Sequence, residues 1–405
     1  MNKILIISSV WVEPNSSAAG SRMLQLIRFF QSEKYAIEYA SIASESEFSF
    51  DLSSLGVTKH SIQINDSRFD ELLLKIMPNL VLFDRFMVEE QFGWRVSNVL
   101  PNAIKILDSE DLHSLRHARQ VAVKNKTSLD TLNYNSDVAK REIASIFRCD
   151  LSLMVSDYEM NLLQTVFQVP SKLLFYLPIW IDHLVKVEPF YENKKNFVFI
   201  GNFYHEPNWD SVLVLKNEIW PKLKELLPKE KLNIYGAYPT QKVHQLHNPK
   251  ERFFIHGRAE SAEEVIRSAR VLVAPIRFGA GIKGKLLEAM EYGTPSVTTS
   301  IGAEAMHADL PWNGFITDDY SDFIQKTVTL YSNQEIWEQA VENGYEIIQQ
   351  KFLFSIYKSK FLDVLHELQT NLELHRNTNF IGQMLQFHTM RSTEFMSRWI
   401  EEKNK

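Results

Sequence analysis

The stretch "RFGAGIKGKLLEAMEYGTPSVTTS" (277–300) decides how this chain folds. Four of the chain's 14 glycines, at 279, 281, 284 and 293, fall inside it. The apolar run before it, "VLVAPI" (271–276), predicts a strand that delivers the chain to Arg277. A tight loop, "FGAGI", then opens a helix over 283–292, which Gly293 ends in the left-handed conformation and Pro295 follows. A helix start at the carboxyl edge of a sheet offers unpaired N–H groups and partial positive charge, hence an anion site, and Lys283 adds a full charge. Gly281, Gly284 and Glu288 stand at i, i+3 and i+7, one stripe of the helix, while Ile282, Leu286, Ala289 and Met290 share the core side. At a rise of about 1.5 Å per residue, Glu288 lies about 6 Å beyond Gly284. That offset suits a diphosphate at the helix start and a ribose diol on the carboxylate. The competing reading is a solvated glutamate paired with Lys285.

Working outward, the pattern repeats. "NFVFIG" (196–201), "KLNIYG" (231–236), "RFFIHG" (252–257) and "SVTTS" (296–300) read as strands, and "SAEEVIRSA" (261–269) as one of the helices between them. Gly201, Gly236 and Gly257 end three of these strands, where backbone can approach a ligand. The N-terminal half alternates likewise. "KILIIS" (3–8), "IEYASI", "HSIQI", "LVLFD", "AIKIL" and "LSLMVS" (151–156) are strand candidates. Helices run from about Ser21 to Ser32 and from Ser156, whose spacing to Glu159 is that of a capping box. Strands alternating with helices imply parallel sheets covered on both faces. The segment 178–196, "PIWIDHLVKVEPFYENKKN", breaks the pattern with two prolines and a charged end, and reads as a hinge. Beyond 321 the chain reads helical. The expected class is α/β: two Rossmann-like doubly wound domains facing across a cleft, an N-terminal domain over 1–185, a C-terminal domain over 186–372 and a helical tail over 373–405.

Composition agrees with this class and excludes others. At 405 residues, 45% apolar and 23% charged, the chain is an ordinary globular sequence long enough for two or three domains. A net charge of −6 argues against a nucleic-acid partner. The single cysteine, Cys149, leaves no intramolecular disulfide and points to a reducing, cytoplasmic setting. "LLFYLPIWI" (173–181) is too short to span a membrane and contains Pro178. "MNKILIISSVWV" lacks a cleavage signal and reads as a first buried strand.

The run "PIRFGAGIKGKLLEAMEYGTPSVTTSIGAEAM" (275–306) resembles the donor-binding segment of GT-B glycosyltransferases of family 4 (group 1). "FVFIGNFYHEPNWDSV" (197–212) resembles the first strand and helix of their C-terminal domain, and "DSEDLHSLRHAR" (108–119) a recurrent stretch of their N-terminal one. The resemblance implies a nucleotide diphosphate sugar, UDP- or GDP-linked, held mostly by the C-terminal domain, with no required cofactor or metal. It implies hexosyl transfer to a carbohydrate or lipid-linked acceptor with retention, in surface polysaccharide or glycolipid synthesis. One departure stands out: relatives carry a glutamate eight residues before the one matching Glu288, and here that position is Ala280. The departure keeps a nucleotide-sugar epimerase, or a non-catalytic nucleotide-binding partner of another glycosyltransferase, as alternatives.

On this reading Lys283 and Arg277 meet the charge of the leaving diphosphate, with Lys285 as a further candidate. The backbone of Gly279, Ala280, Gly281 and Ile282 contacts the donor, and Glu288 holds the ribose. His113, beyond the strand "AIKIL", touches the donor sugar or phosphate, while Asp108 and Asp111 cap the helix that starts there. Gly20 lets the loop after the first strand approach the donor. Gly201 admits the donor at a strand end, Gly257 and Arg258 flank the nucleobase, and Glu304 reaches the donor. The stretch "LHSLRHARQVAVKNK" (112–126) holds four Arg or Lys and no acid. It reads either as a solvated helix or as a face for peripheral contact with the inner membrane surface.

Overall fold

Two parallel sheets carry the molecule, and their strand order is what places the cleft. The structure is a computed structural model describing residues 2–186 and 191–404; residues 187–190 of the expected hinge lie outside the described residues. The first sheet contains β1 (Lys3–Ser8), β2 (Ala36–Ser41), β3 (Thr58–Ser61), β4 (Leu80–Asp84), β5 (Ile104–Asp108), β6 (Leu151–Met154) and β7 (Leu174–Tyr176). Its order is β3-β2-β1-β4-β5-β6-β7. The second contains β8 (Phe197–Ile200), β9 (Leu232–Tyr235), β10 (Phe253–Gly257), β11 (Val271–Ala274), β12 (Ser296–Thr298) and β13 (Gly314–Ile316), in the order β10-β9-β8-β11-β12-β13. Strand order therefore reverses between β1 and β4 in one sheet and between β8 and β11 in the other. Such a reversal opens a crevice at the carboxyl ends of the two strands. Strands β1, β4, β5 and β11 are buried almost throughout, as sheets covered on both faces require.

The local signals explain most boundaries. Ser17 caps the helix Ala18–Ser32 by accepting from Gly20 N, which starts it three residues before Ser21. Ser261 caps Ala262–Ser268 in the same way. Strands β7 and β13 span three residues each, too short to show a period in the sequence. The Ser156–Glu159 box is only half formed. Ser156 Oγ accepts from Glu159 N, but the Glu159 carboxylate turns away toward the other domain.

The end of the chain returns to the first domain. Helix Lys358–Asn377 inserts Phe361, Leu365 and Leu368 into the core beneath β1 and β4, beside Phe29 and Phe30. Phe361 stacks on Phe175 at 5.2 Å. Arg376 clamps both oxygens of Asp150 at 2.7 Å. Helix Phe380–Lys403 then packs on helices Phe86–Val99 and Asp137–Arg148. Its outer face leaves Phe380, Met384, Phe387, Phe395 and Trp399 exposed, with Arg391 over the Phe387 ring. The outgoing and returning segments touch where they cross between domains. Ile181 N donates to Phe352 O at 2.7 Å, Phe354 N donates to Ile181 O at 3.1 Å, and Trp180 stacks on Phe354. No helix among the described residues is long and apolar enough to cross a membrane.

Candidate functional site

Helix Gly284–Glu291 starts at the β8–β11 crevice, with Lys283 as its N-cap and Gly293 left-handed just past its end. Lys283 is 8% exposed and its ammonium donates to Gly281 O at 2.8 Å. Burial lowers its pKa to about 8. Lys285 turns toward β8. Its ammonium donates to Asn208 Oδ1 at 2.5 Å and lies 4.2 Å over the Phe199 ring, and burial lowers it to about 7. Lys285 is thus taken by Asn208 rather than by Glu288. Glu288 is half-buried, and no hydrogen bond or ion pair to another described residue engages its carboxylate. Burial, reinforced by Glu291, raises it to about 7. An unpartnered carboxylate of this kind is ready to accept from ligand hydroxyls.

The loop before the helix is pressed against the N-terminal domain. A Cβ on Gly281, whose φ is +65°, would come within 2.9 Å of Asp111 Cβ, and one on Gly284 within 2.8 Å of Ala18 Cβ. The glycine stripe therefore admits the facing domain in this arrangement. A diphosphate laid along it requires Ala18 and Asp111 to draw back. Ala280 packs into the apolar cluster of the N-terminal domain with Leu112 and Leu115, where a glutamate would lose its hydration. Ile282 packs into the C-terminal core, which leaves only its backbone for a ligand.

Arg119 and Glu304 close the junction. Arg119 donates to Glu304 through Nη1 at 2.8 Å and Nη2 at 2.6 Å, and to Gly279 O at 2.8 Å. Its side chain is 3% exposed and that of Glu304 14%. Glu159 Oε1 accepts from Gly281 N at 2.7 Å and from Leu112 N at 3.2 Å, and burial raises this carboxyl to about 8. Tyr238 OH donates to Glu13 Oε2 at 2.6 Å, and the Arg258 guanidinium lies 4.2 Å over the Phe48 ring.

The N-terminal wall is a set of charged groups at the ends of β4 and β5. Asp108 is held by Arg22 through Nε at 2.9 Å and Nη2 at 2.8 Å, with neither side chain exposed. Ser8 Oγ donates to Asp84 at 2.5 Å. Burial raises Glu110 to about 8, with Asp108 adding to the effect. Asp111 pairs with Arg116 and stands 3.4 Å from His113 Nε2. His113 packs its ring edgewise on Phe86, and burial lowers it to about 4, so the imidazole is neutral at pH 7. His205, on the opposite wall, is lowered to about 4 by burial and Arg116. Asp111 is within electrostatic reach of both histidines.

Two expected helix caps change here, and the other expected residues take the following places. Asp108 and Asp111 do not cap the helix His113–Asn125. Glu142 does so from another helix, accepting from His113 N and from Ser114 N, each at 2.9 Å. Arg277 sits outside the junction in a two-pronged pair with Asp210, and its side chain is 42% exposed. Glu304 faces Arg119, and Arg258 faces Phe48. Gly20 lies under the Glu13 carbonyl, and a Cβ there would stand 2.2 Å from that oxygen. Gly201 lies beside Asn208 and the Lys285 ammonium, and Gly257 bends β10 at φ +77°. Gly236 packs on the Gly201 carbonyl rather than facing a ligand. In the stretch 112–126, Arg116 and Arg119 turn into the junction, so Lys124 and Lys126 alone of its Arg and Lys are exposed. The structure thus brings His113, Asp111, Lys283, Gly281 and Glu304 to one junction. It adds Glu159 and His205, of which His205 alone had a local signal, its place just before Glu206 and Pro207 at the cleft end of β8, and it draws Arg119 of the stretch 112–126 in beside them.

Residues 194–333 match a family model described as "Glycosyl transferases group 1". A protein of Klebsiella pneumoniae, described as an uncharacterized 44.6 kDa protein in a cps region, is 23% identical over 220 residues. That match covers 53% of this chain and spans about half of the relative's own length, 55%. Among solved structures, TarM superposes with a TM-score of 0.69 at 11% identity, over 90% of this chain and 98% of its own. HepE of Anabaena, solved with UDP and glucose, superposes with a TM-score of 0.62 at 14% identity, over 91% of this chain and all of its own (100%). The two sheets and the cleft between them are the GT-B fold.

Proposed function

We propose that this protein, whose C-terminal domain is that of a group 1 glycosyltransferase, moves a hexose-type sugar from a nucleoside diphosphate sugar to an acceptor hydroxyl. The observation that carries this reading is the pairing of Lys283, at a helix N-terminus in the β8–β11 crevice, with the unpartnered carboxylate of Glu288 farther along that helix. Anions bind at such a helix start because its N–H groups and partial charge point at them. The solved neighbours support a UDP-linked donor, since both HepE and TarM of S. aureus were solved with UDP. A GDP-linked donor is the alternative the titration below separates.

The chemistry follows from the groups present. As the glycosidic bond to the diphosphate breaks, charge builds on the leaving oxygen. Lys283 and the loop N–H groups stabilise it, with Arg277 held one residue before the loop by Asp210. His113, kept neutral by burial, offers a hydrogen bond to the sugar without competing for the proton of the acceptor. We infer retention at the anomeric carbon, with the donor phosphate taking that proton. Closure of the domains over the donor keeps water from the reacting carbon. Surface polysaccharide or glycolipid synthesis is the setting we favour, and the cps-region relative agrees with it. Peripheral contact with a membrane falls, on this reading, to the exposed aromatic face of helix Phe380–Lys403, where Arg391 and Arg398 flank Phe387, Phe395 and Trp399.

The test is calorimetric titration of UDP, GDP, ADP and dTDP into the wild type and Glu288→Ala. Losing charge-assisted hydrogen bonds to the ribose costs about 1.5–3 kcal/mol, or about 10- to 150-fold in affinity. We expect one nucleotide to bind selectively and to weaken by that factor. Binding of none of the four removes the donor-site reading.

A further inference from the structure

In the loop before helix Gly284–Glu291, groups of this chain already hold backbone that the donor reading assigns to a diphosphate. Glu159 Oε1 accepts from Gly281 N at 2.7 Å, Arg119 donates to Gly279 O at 2.8 Å, and the Lys283 ammonium donates to Gly281 O at 2.8 Å. Glu159 and Arg119 come from the N-terminal domain, 122 and 160 residues away along the chain. Ala280, between the two glycines, packs among Leu112 and Leu115 of that domain. Glu159 is fully buried, and its Oε1 also accepts from Leu112 N at 3.2 Å, which ties the carboxyl to its own domain while it reaches across.

The space over the loop is closed as well. A methyl group on Gly281 would meet Asp111 Cβ at 2.9 Å, and one on Gly284 would meet Ala18 Cβ at 2.8 Å. A gap too small for one methyl group takes no phosphate. Contacts on either side of the β8–β11 crevice hold this arrangement. Tyr238, past β9, donates to Glu13 at 2.6 Å; Lys351 donates to Asp157 at 2.9 Å and to Ala305 O, past β12, at 3.0 Å.

The Glu159 oxygen on Gly281 N stands where a phosphate oxygen belongs if the loop binds an anion. Burial raises Glu159 to about 8, so at neutral pH it accepts as an uncharged carboxyl. A diphosphate offers the same amide a charge-assisted bond, about twice as strong, and brings its charge to Lys283. Of the two acceptors the protein's own is the weaker, as a group that has to yield must be.

We propose that the ligand-free protein rests in a donor-excluding form, in which Glu159 holds the Gly281 amide in place of a donor phosphate, and that nucleotide binds only after the N-terminal domain withdraws it. This rests on the donor-site reading above. Closure over a bound donor then stops short of the arrangement described here, with the diphosphate between Gly281 and Asp111. Apparent affinity scales with the fraction of molecules that are open, so a change that frees Gly281 raises it.

The test titrates UDP, GDP, ADP and dTDP calorimetrically into the full-length wild type, Glu159→Ala and Glu159→Gln. The alanine variant leaves Gly281 N dry and unpaired in the closed form alone, so the nucleotide that binds wild type should bind this variant about tenfold more tightly. The glutamine variant keeps an oxygen for that amide and should gain less. A second measurement needs no variant: saturating nucleotide should raise the radius of gyration of the wild type in small-angle scattering, because Glu159, Asp111 and Ala18 have to draw back. If circular dichroism finds Glu159→Ala unfolded, the scattering result decides alone. Affinity unchanged or weakened in a folded Glu159→Ala, or a radius that shrinks or stays fixed when nucleotide binds the wild type, overturns the assignment and leaves the donor site standing. If none of the four nucleotides binds the wild type, the donor-site reading falls and takes this one with it.

Discussion

Removing one partner of the Arg119–Glu304 pair should open the molecule rather than unfold it. The pair is two-pronged, at 2.8 and 2.6 Å, and nearly fully buried. Breaking one side of such a pair costs about 3–5 kcal/mol, because the remaining charge is left dry and unpaired. In Glu304→Gln the penalty is smaller. Arg119 keeps the Gly279 carbonyl at 2.8 Å and the Tyr158 ring at 5.3 Å, and the amide oxygen still accepts one hydrogen bond. About 2–3 kcal/mol is a fair value on that basis. The two residues belong to different domains, so the cost falls on the closed form only; drawing the domains apart hydrates Arg119. The closed-to-open ratio should then fall by about 30- to 150-fold. Small-angle scattering should show a larger radius of gyration for Glu304→Gln, with the unfolding midpoint close to wild type. Adding Arg119→Met removes the stranded charge and should bring the scattering part of the way back. A profile identical to wild type, together with a lower midpoint, would refute the reasoning and make the pair a stabiliser of the fold alone.

Three further outcomes follow from the same geometry. UDP affinity should peak between about pH 7 and 8: below it Glu288 takes up a proton, above it Lys283 loses one. Affinity should fall by about tenfold per pH unit well outside that window; calorimetry across pH should find the acid limb flattened by Glu288→Gln and the alkaline limb by Lys283→Met, whatever UDP's own ionisation adds to all three. Phe361→Ala should destabilise by about 3–5 kcal/mol, read by urea unfolding, because the ring is fully buried among Phe29, Phe30 and Phe175. Sedimentation with anionic liposomes should lose protein when Phe387 and Trp399 are both changed to Ser, and should be unaffected by Lys124→Ser with Lys126→Ser; the opposite pattern would return the membrane face to the stretch 112–126.

Local signals were legible where one short segment carries the whole argument. The strand β11, the loop, the helix from Gly284 and its end at Gly293 follow from a run of apolar residues, four glycines and a proline within some 25 positions. What depends on distant parts of the chain was not. Asp108 and Asp111 sit where caps belong, yet the helix is capped by Glu142, 28 residues past its second donor, Ser114, because Asp108 is needed by Arg22 and Asp111 by Arg116. Glu159 matches a capping box in sequence, but the other domain offers its carboxylate a buried amide at Gly281 and wins it. The glycines at 281 and 284 were legible as places of close approach; that the approaching groups are Asp111 and Ala18 belongs to the packing of two domains, which no local pattern encodes.

The returning helix Lys358–Asn377 has a consequence for how the protein is made. The core beneath β1 and β4 is filled by residues that leave the ribosome after the entire second sheet has been synthesised. Domains usually fold in the order of their synthesis, but here the first domain holds an open apolar seat, lined by Phe29, Phe30 and Phe175, until Phe361 arrives. The second domain, whose strands and helices are contiguous from 197 to 352, can complete itself first. During translation the exposed surface to be shielded is therefore that of the earlier-made half, and the helix that seals it, Lys358–Asn377, emerges only after the second domain.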